Sequence, residues 1–340
     1  MKAIMLQKPG QVVICDIPKP KRRPGEALLK TLYGGICGSD LNAYRGAMAY
    51  FSYPRVPGHE FCARIEEIEP NAQGFHVGDV VICNPYFNCG QCYTCRRQAV
   101  NACMHNQTMG VQRDGAFAEY ITMPIARLIH GRNLPPKMLA LVEPLCIGLH
   151  GIQRANVTAS DRVLVMGAGA IGLSAAIAAK ARGAAVYIAD IAPKKLEYGL
   201  DFCLDGVILN DDKAHFDREI LRLTQGEGFD VTVEAVGMPS TFQDCLDAVA
   251  YSGRVVVIGI GKHNVDLDFT VIQKKELHVF GARNALTADF EGLLDVLAGQ
   301  DLRIDRLITH TYPLEQADRA FADFDRDVGN MLKVMIDFTG

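Results

Sequence analysis

No apolar run in the chain approaches the ~18 residues that a membrane-spanning helix requires, which excludes such a helix. Positive charge is not in excess either. The formal net charge is −4, which leaves no electrostatic case for nucleic acid or an anionic membrane as a partner. The opening "MKAIMLQKPGQVVICDIP" lacks the continuous apolar core of a secretory signal and alternates like a pair of strands, so a cytoplasmic protein is expected. Internal repeats and low-complexity tracts are also missing. What remains is an ordinary globular composition, 49% hydrophobic and 22% charged, over 340 residues, a length that suggests about two domains.

Two textures divide the chain. Residues 1–150 are broken by Gly and Pro around short apolar runs such as "EALLKTLYGGIC" and "HVGDVVICNP", a pattern that predicts an irregular all-β domain with long loops. From "DRVLVMGAGAIGLSAAIAAKARGAAVYIAD" the pattern becomes strand, Gly-rich turn, Ala-rich helix, strand. Four further runs, "DGVILN", "FDVTVEAVG", "RVVVIGI" and "LHVFGAR", alternate with helical stretches such as "STFQDCLDAVAYSG" and predict a parallel sheet. Helical patterns at "TADFEGLLDVLAG" and "LEQADRAFADF" and a closing strand "LKVMIDF" complete the chain.

Cysteine is not scarce. Cys89, Cys92, Cys95 and Cys103 crowd into one loop as C-x2-C-x2-C-x7-C. In a reducing compartment disulfides are disfavoured, and such spacing can set four sulfurs at the corners of a tetrahedron around Zn²⁺. Four thiolates close the coordination shell, so this site is expected to be structural.

"VLVMGAGAIG" places Gly167, Gly169 and Gly172 as G-x-G-x-x-G directly after an apolar strand, with Ala170 and Ile171 opening the helix. The first Gly permits the turn, the second admits a pyrophosphate against the backbone, and the third lets helix and strand pack closely. The next strand ends in Asp190, eighteen residues past Gly172, where a carboxylate accepts ribose hydroxyls and repels a 2′-phosphate; NAD is therefore expected over NADP. Lys194 and Lys195 just beyond soften that exclusion. Lys195 and Ile260, the latter ending "RVVVIGI", are further cofactor-binding candidates.

A second metal set is less evident from spacing. "GGICGSD" presents Cys37, and "VPGHEF" presents His59 and Glu60 after a Pro-Gly turn. Either segment alone reads as ordinary structure, but sulfur, imidazole and carboxylate together suit an open catalytic zinc.

"GGICGSDLNAYRG", "YPRVPGHEF", the four-cysteine loop, "DGAFAEY", "VEPLCIGLHG", "GAGAIG" and "LITHTYPLEQADRAF" occur in one order along essentially the full length. In this the chain resembles the zinc-containing medium-chain dehydrogenase/reductase superfamily. The resemblance implies an α/β plus β fold. A GroES-like catalytic domain (1–150 and 288–340), completed by the C-terminal segment, surrounds a Rossmann doubly wound domain (151–287), with the substrate cleft between the two. Glu143, in "LVEPLC", stands where simple alcohol dehydrogenases supply a cysteine ligand. A Glu-Pro there is similar to sorbitol, threonine and galactitol-phosphate dehydrogenases, the polyol and sugar-acid branch. By that resemblance Cys37 and His59 hold the catalytic zinc with Glu60, and Glu143 either ligates the metal or orders its water. A homo-oligomer, dimer or tetramer, is also implied.

The expected chemistry is NAD-linked oxidation of a secondary alcohol to a ketone. Zinc acts as Lewis acid, and Ser39, two residues past Cys37, carries the proton away. Many relatives have a His five residues after this Cys as the outer station of the relay; this chain has Asn42, whose amide cannot accept a proton. Ala63 stands where relatives often have Gly. Arg283 and Asn284, in "VFGARNALTADF", resemble hexonate 5-dehydrogenases acting on L-galactonate or L-gulonate, and a guanidinium suits a substrate carboxylate. Tyr44 and Phe51 are candidate pocket aromatics, while His150, His310, Cys146, Cys203 and Cys245 read as structural. The competing expectations are a threonine-type or sugar-alcohol-phosphate enzyme, or an NAD-binding regulator without catalysis.

Overall fold

Ala3, Ile4 and Leu6 are fully buried along strand Lys2–Lys8, which turns back as Gln11–Asp16 in the antiparallel hairpin that the opening alternation predicts. A computed structural model describes residues 1–261 and 263–340. They form two units, Met1–Glu143 with Leu286–Gly340, and Pro144–Ala285.

The first unit is built on a seven-stranded sheet. Its order is Ile308–Pro313, Lys333–Asp337, Glu26–Ile36, Glu60–Glu67, Val80–Cys83 and Leu128–His130, with Tyr120–Pro124 also paired to Glu26–Ile36. The closing strand lies antiparallel to Glu26–Ile36 with Val334 opposite Ile36, and on the other side of that strand Glu60 stands opposite Gly35. The C-terminal segment therefore completes the sheet begun by the N-terminal one. Apolar residues from both, among them Leu29, Ile65, Phe117, Phe321 and Ile336, share a single core. A separate two-stranded ladder, Tyr86–Phe87 with Gln107–Thr108, closes the base of the cysteine loop.

The second unit is a six-stranded parallel sheet ordered Gly206–Leu209, Ala185–Asp190, Arg162–Met166, Phe229–Glu234, Val249–Val257 and His278–Gly281. This is the doubly wound order, whose direction reverses beside Arg162–Met166, and ligands bind outside the strand ends at such a switch point. Two details depart from the sequence pattern. Strand Val249–Val257 begins before the "RVVVIGI" run, taking in "VAYSG", which reads as helix. "LHVFGAR" reads as buried, yet in strand His278–Gly281 only Phe280 is even half-buried, because the strand lies at the sheet edge. Among the described residues no helix is long and apolar enough to cross a membrane.

The Gly-rich turn separates structural from functional demand. A Cβ on Gly172 would lie 1.7 Å from the Gly167 carbonyl oxygen, whereas one on Gly169 meets nothing within 4 Å. Gly172→Ala is expected to lower stability by about 1–3 kcal/mol through overpacking. Gly169→Ala should stay within about 1 kcal/mol of the parent while weakening dinucleotide binding, because its open space is what a pyrophosphate would fill. Thermal unfolding and cofactor titration of the two variants check the contrast.

Candidate metal and cofactor sites

The four cysteines of the loop converge as their spacing predicts. Their sulfurs lie within 4.8 Å of one another; Cys92 Sγ is 3.5 Å from Cys95 Sγ and 3.8 Å from Cys103 Sγ. A tetrahedron with Zn–S bonds of about 2.3 Å has edges of about 3.8 Å, so the sulfur cage fits zinc. Backbone amides of Cys89 and His105 donate to Cys103 Sγ at 3.3 and 3.4 Å. The Thr94 hydroxyl, with the Cys95 and Met104 amides, pulls Cys92 down to about 5, while burial pushes Cys103 up to about 11. A metal would bring all four to thiolate.

The second cluster is assembled by sheet register. Cys37 follows strand Glu26–Ile36 directly and caps the short helix Gly38–Tyr44; Glu60 begins the neighbouring strand, with His59 before it. Ligand atoms of Cys37, His59 and Glu60 lie within 4.8 Å of one another. Buried Asp40 ties the two segments together, accepting from the Cys37 amide at 3.0 Å and the Gly58 amide at 3.3 Å. His59 Nε2 lies 3.4 Å from Ser39 Oγ, and its Nδ1 is buried without a hydrogen-bond partner, 3.9 Å from Asp40 Oδ1.

Lys333 carries no sequence signal for this site. Its ammonium donates to both Glu60 oxygens, at 2.6 and 2.8 Å, with both side chains almost wholly buried. Gly35 makes room for the pair, since a Cβ there would lie 2.5 Å from Glu60 Oε2. Glu143, in the first turn of helix Val142–Arg154, is buried nearby and accepts a hydrogen bond from the Tyr86 hydroxyl. Tyr86 was likewise beyond sequence reasoning.

The electrostatics favour a cation. Cys37, Asp40, Glu60 and Glu143 are four acidic groups gathered around one fixed cation, Lys333, and one imidazole. Burial works against a charged His59, yet Cys37 and Asp40 hold its imidazole well above the ordinary value. Burial also lifts Glu143 to about 7, with His59 opposing and Glu60 reinforcing the shift. Three buried carboxylates and a half-buried thiol beside an orphaned imidazole nitrogen are a donor set that a divalent ion would neutralise.

In the second unit the three glycines, Ala170 and Ile171 lie where helix Ala170–Ala181 begins, and Gly167 adopts φ +99°. Asp190 accepts from the Ala168 amide at 2.7 Å through Oδ2 and from the Ala192 amide at 2.8 Å through Oδ1, which fixes it beside the turn. Lys194 is committed to Glu197 at 2.6 Å, while Lys195 is half-buried in the same helix. Ile260 is 78% exposed. Two apolar residues that the sequence reading did not single out share this environment. Ile191 follows Asp190 and is exposed, and Val236 lies against Gly167. Large apolar side chains left uncovered around a phosphate-type turn suit the flat faces of a dinucleotide.

The Tyr44 ring packs on Phe321 at 5.7 Å, and Phe51 packs on Tyr53 at 4.9 Å. Arg283 is exposed just past strand His278–Gly281, and Asn284 beside it has a left-handed backbone, φ +52°. Cys146, His150 and Cys245 are buried, whereas Cys203 and His310 are exposed.

Residues 23–135 match the alcohol dehydrogenase GroES-like domain family, and residues 170–299 match the zinc-binding dehydrogenase family. The chain belongs to the zinc-containing medium-chain dehydrogenase/reductase superfamily, in its polyol and sugar-acid branch. It is thus a zinc-type dehydrogenase of the alcohol and polyol class, acting on CH–OH groups. Among its relatives, L-galactonate-5-dehydrogenase of Escherichia coli K12 is 33% identical, covering 99% of each chain. L-threonine 3-dehydrogenase of Pyrococcus horikoshii is 34% identical over 92% of this chain and 91% of its own. A short chain alcohol dehydrogenase of Escherichia coli CFT073, solved with NADH, has a TM-score of 0.91 at 29% identity, covering 99% of each chain.

The buried Glu60–Lys333 pair makes a clear prediction. Lys333→Met strands a carboxylate in the core and should destabilise the metal-free protein by about 3–5 kcal/mol, whereas Lys333→Met with Glu60→Leu should regain most of that loss. Urea unfolding in the presence of a chelator measures both. A single variant as stable as the parent would contradict the pairing.

Proposed function

We propose that the chain is a zinc- and NAD-dependent dehydrogenase that oxidises a secondary alcohol of a sugar acid or polyol to the ketone, with an L-galactonate- or L-gulonate-type hexonate as the leading substrate class. The observation that carries this reading is the convergence of half-buried Cys37 with buried His59 and Glu60, their ligand atoms within 4.8 Å of one another, with buried Glu143 beside them. The full-length likeness to L-galactonate-5-dehydrogenase supports the substrate class.

In this reading two zinc ions bind per chain. One is held by the four cysteines of the loop, and the other by Cys37, His59 and a carboxylate from Glu60 or Glu143. Bound zinc supplies Lewis acidity toward the substrate hydroxyl, and nicotinamide supplies the hydride acceptor. The chain's own residues do the rest. Ser39, within reach of His59, takes the hydroxyl proton outward. Asn42 cannot receive it, so the path beyond Ser39 leaves by solvent. Asp190 accepts the ribose hydroxyls, and Lys194, already paired with Glu197, offers little to a 2′-phosphate. Arg283 is suited to a bidentate contact with a hexonate carboxylate, with Asn284 beside it.

A screen of NAD reduction across hexonates, polyols, polyol phosphates and threonine tests the reading. Turnover with a hexonate or polyol is expected, and activity confined to threonine would replace the sugar-acid assignment with the amino-alcohol one. Asp190→Ser should raise the relative use of NADP by at least about tenfold, because it removes a charge that repels the 2′-phosphate. An unchanged NAD-to-NADP ratio in steady-state kinetics would remove Asp190 from cofactor selection.

A further inference from the structure

Zinc held by four thiolates has no open coordination position, so the cysteine lobe does no chemistry of its own. Its attachment to the rest of the first unit, however, runs toward the second cluster. The loop between residues 88 and 106 is closed by the ladder that pairs Tyr86 with Thr108 and Phe87 with Gln107. Tyr86 is held through its amide, its carbonyl and its hydroxyl. Its amide donates to Asn84 Oδ1 at 3.0 Å, its carbonyl accepts from Arg127 Nη1 at 2.5 Å, and its hydroxyl donates to Glu143 Oε1.

Arg127 is shared with the lobe. Its Nη2 donates to Asn88 Oδ1 at 3.1 Å, and Asn88 Nδ2 in turn lies 3.7 Å from Cys95 Sγ. The Phe87 ring carries two guanidinium groups, Arg113 at 3.7 Å and Arg127 at 4.2 Å from its centroid, which fixes the ladder further. A continuous series of polar contacts therefore runs from Cys95 through Asn88, Arg127 and Tyr86 to Glu143.

We propose that Tyr86 is a positioning residue through which the four-cysteine lobe sets the orientation of Glu143 at the Cys37–His59–Glu60 cluster. With its hydroxyl bound to Oε1, Tyr86 fixes one oxygen of the carboxylate and so decides what the other can offer a metal or its water. Partners of this kind around metal ligands commonly alter metal affinity or activity by about 10–100-fold when removed. The inference rests on the reading of the second cluster as a metal site.

The test uses the full chain with zinc retained in the cysteine lobe and Co²⁺ introduced at the second cluster. Visible absorption and chelator competition then report its geometry and affinity without any substrate. Tyr86→Phe keeps the ring and its packing, and should weaken Co²⁺ binding by about tenfold or alter its absorption bands. Asn88→Ala, at the lobe end of the series, should move the same readouts in the same direction. The double variant should add nothing beyond Tyr86→Phe alone, since both break one series. Unaltered cobalt binding and spectrum in Tyr86→Phe overturn the inference, and so do fully additive effects. Should Tyr86→Phe fail to fold, Asn88→Ala decides: a cobalt site identical to the parent's overturns it. Failure of every alcohol to turn over, with these shifts present, counts against the proposed function alone; normal turnover without them counts against Tyr86 alone.

Discussion

Burying charge is the constraint around which the first unit is organised. Glu60 is wholly buried, and both its oxygens are met by one ammonium from the far end of the chain. That pairing is possible only because strand Lys333–Asp337 runs beside Glu26–Ile36, which runs beside Glu60–Glu67. A buried ion pair of this geometry contributes little net stability compared with an apolar pair. Its value lies in fixing a carboxylate next to a thiol and an imidazole.

The two expected metal sites illustrate opposite solutions to that constraint. In the cysteine lobe all four donors are alike, the cage matches the dimensions of zinc, and a hydroxyl and two amides already favour the thiolate of Cys92. In the second cluster the donors are unlike and acidic groups outnumber the fixed cation, which makes it receptive to a divalent ion while keeping its ligands distinct. The cofactor turn of the second unit answers a different demand. There the requirement is an uncovered turn, met by Gly169 and framed by Asp190, whose two oxygens are anchored by backbone amides.

Much of this was legible in the sequence, and the reason differs from residue to residue. Cys89 to Cys103 and Gly167 to Gly172 announce themselves because their chemistry is local, with all partners inside one loop or turn. Cys37, His59 and Glu60 are legible only as a set of residues in separate segments. Lys333 was not legible at all. It opens the apolar strand "LKVMIDF" and reads as a strand-end lysine, since its partner lies 273 residues earlier and is reached only through sheet pairing. Tyr86 was hidden for a similar reason, as a two-residue ladder gives no periodicity. The Val249–Val257 strand was misread in part because "VAYSG" continues a helical pattern that the sheet overrides.

In the proposed reading the Cys37–His59–Glu60 cluster is a metal site separate from the cysteine lobe. Metal analysis of the purified protein alongside Cys37→Ser tests it most directly. Two zinc ions per chain are expected in the parent and one in a variant that still folds. A parent that retains only one zinc under zinc-replete conditions, unchanged by the substitution, would contradict it.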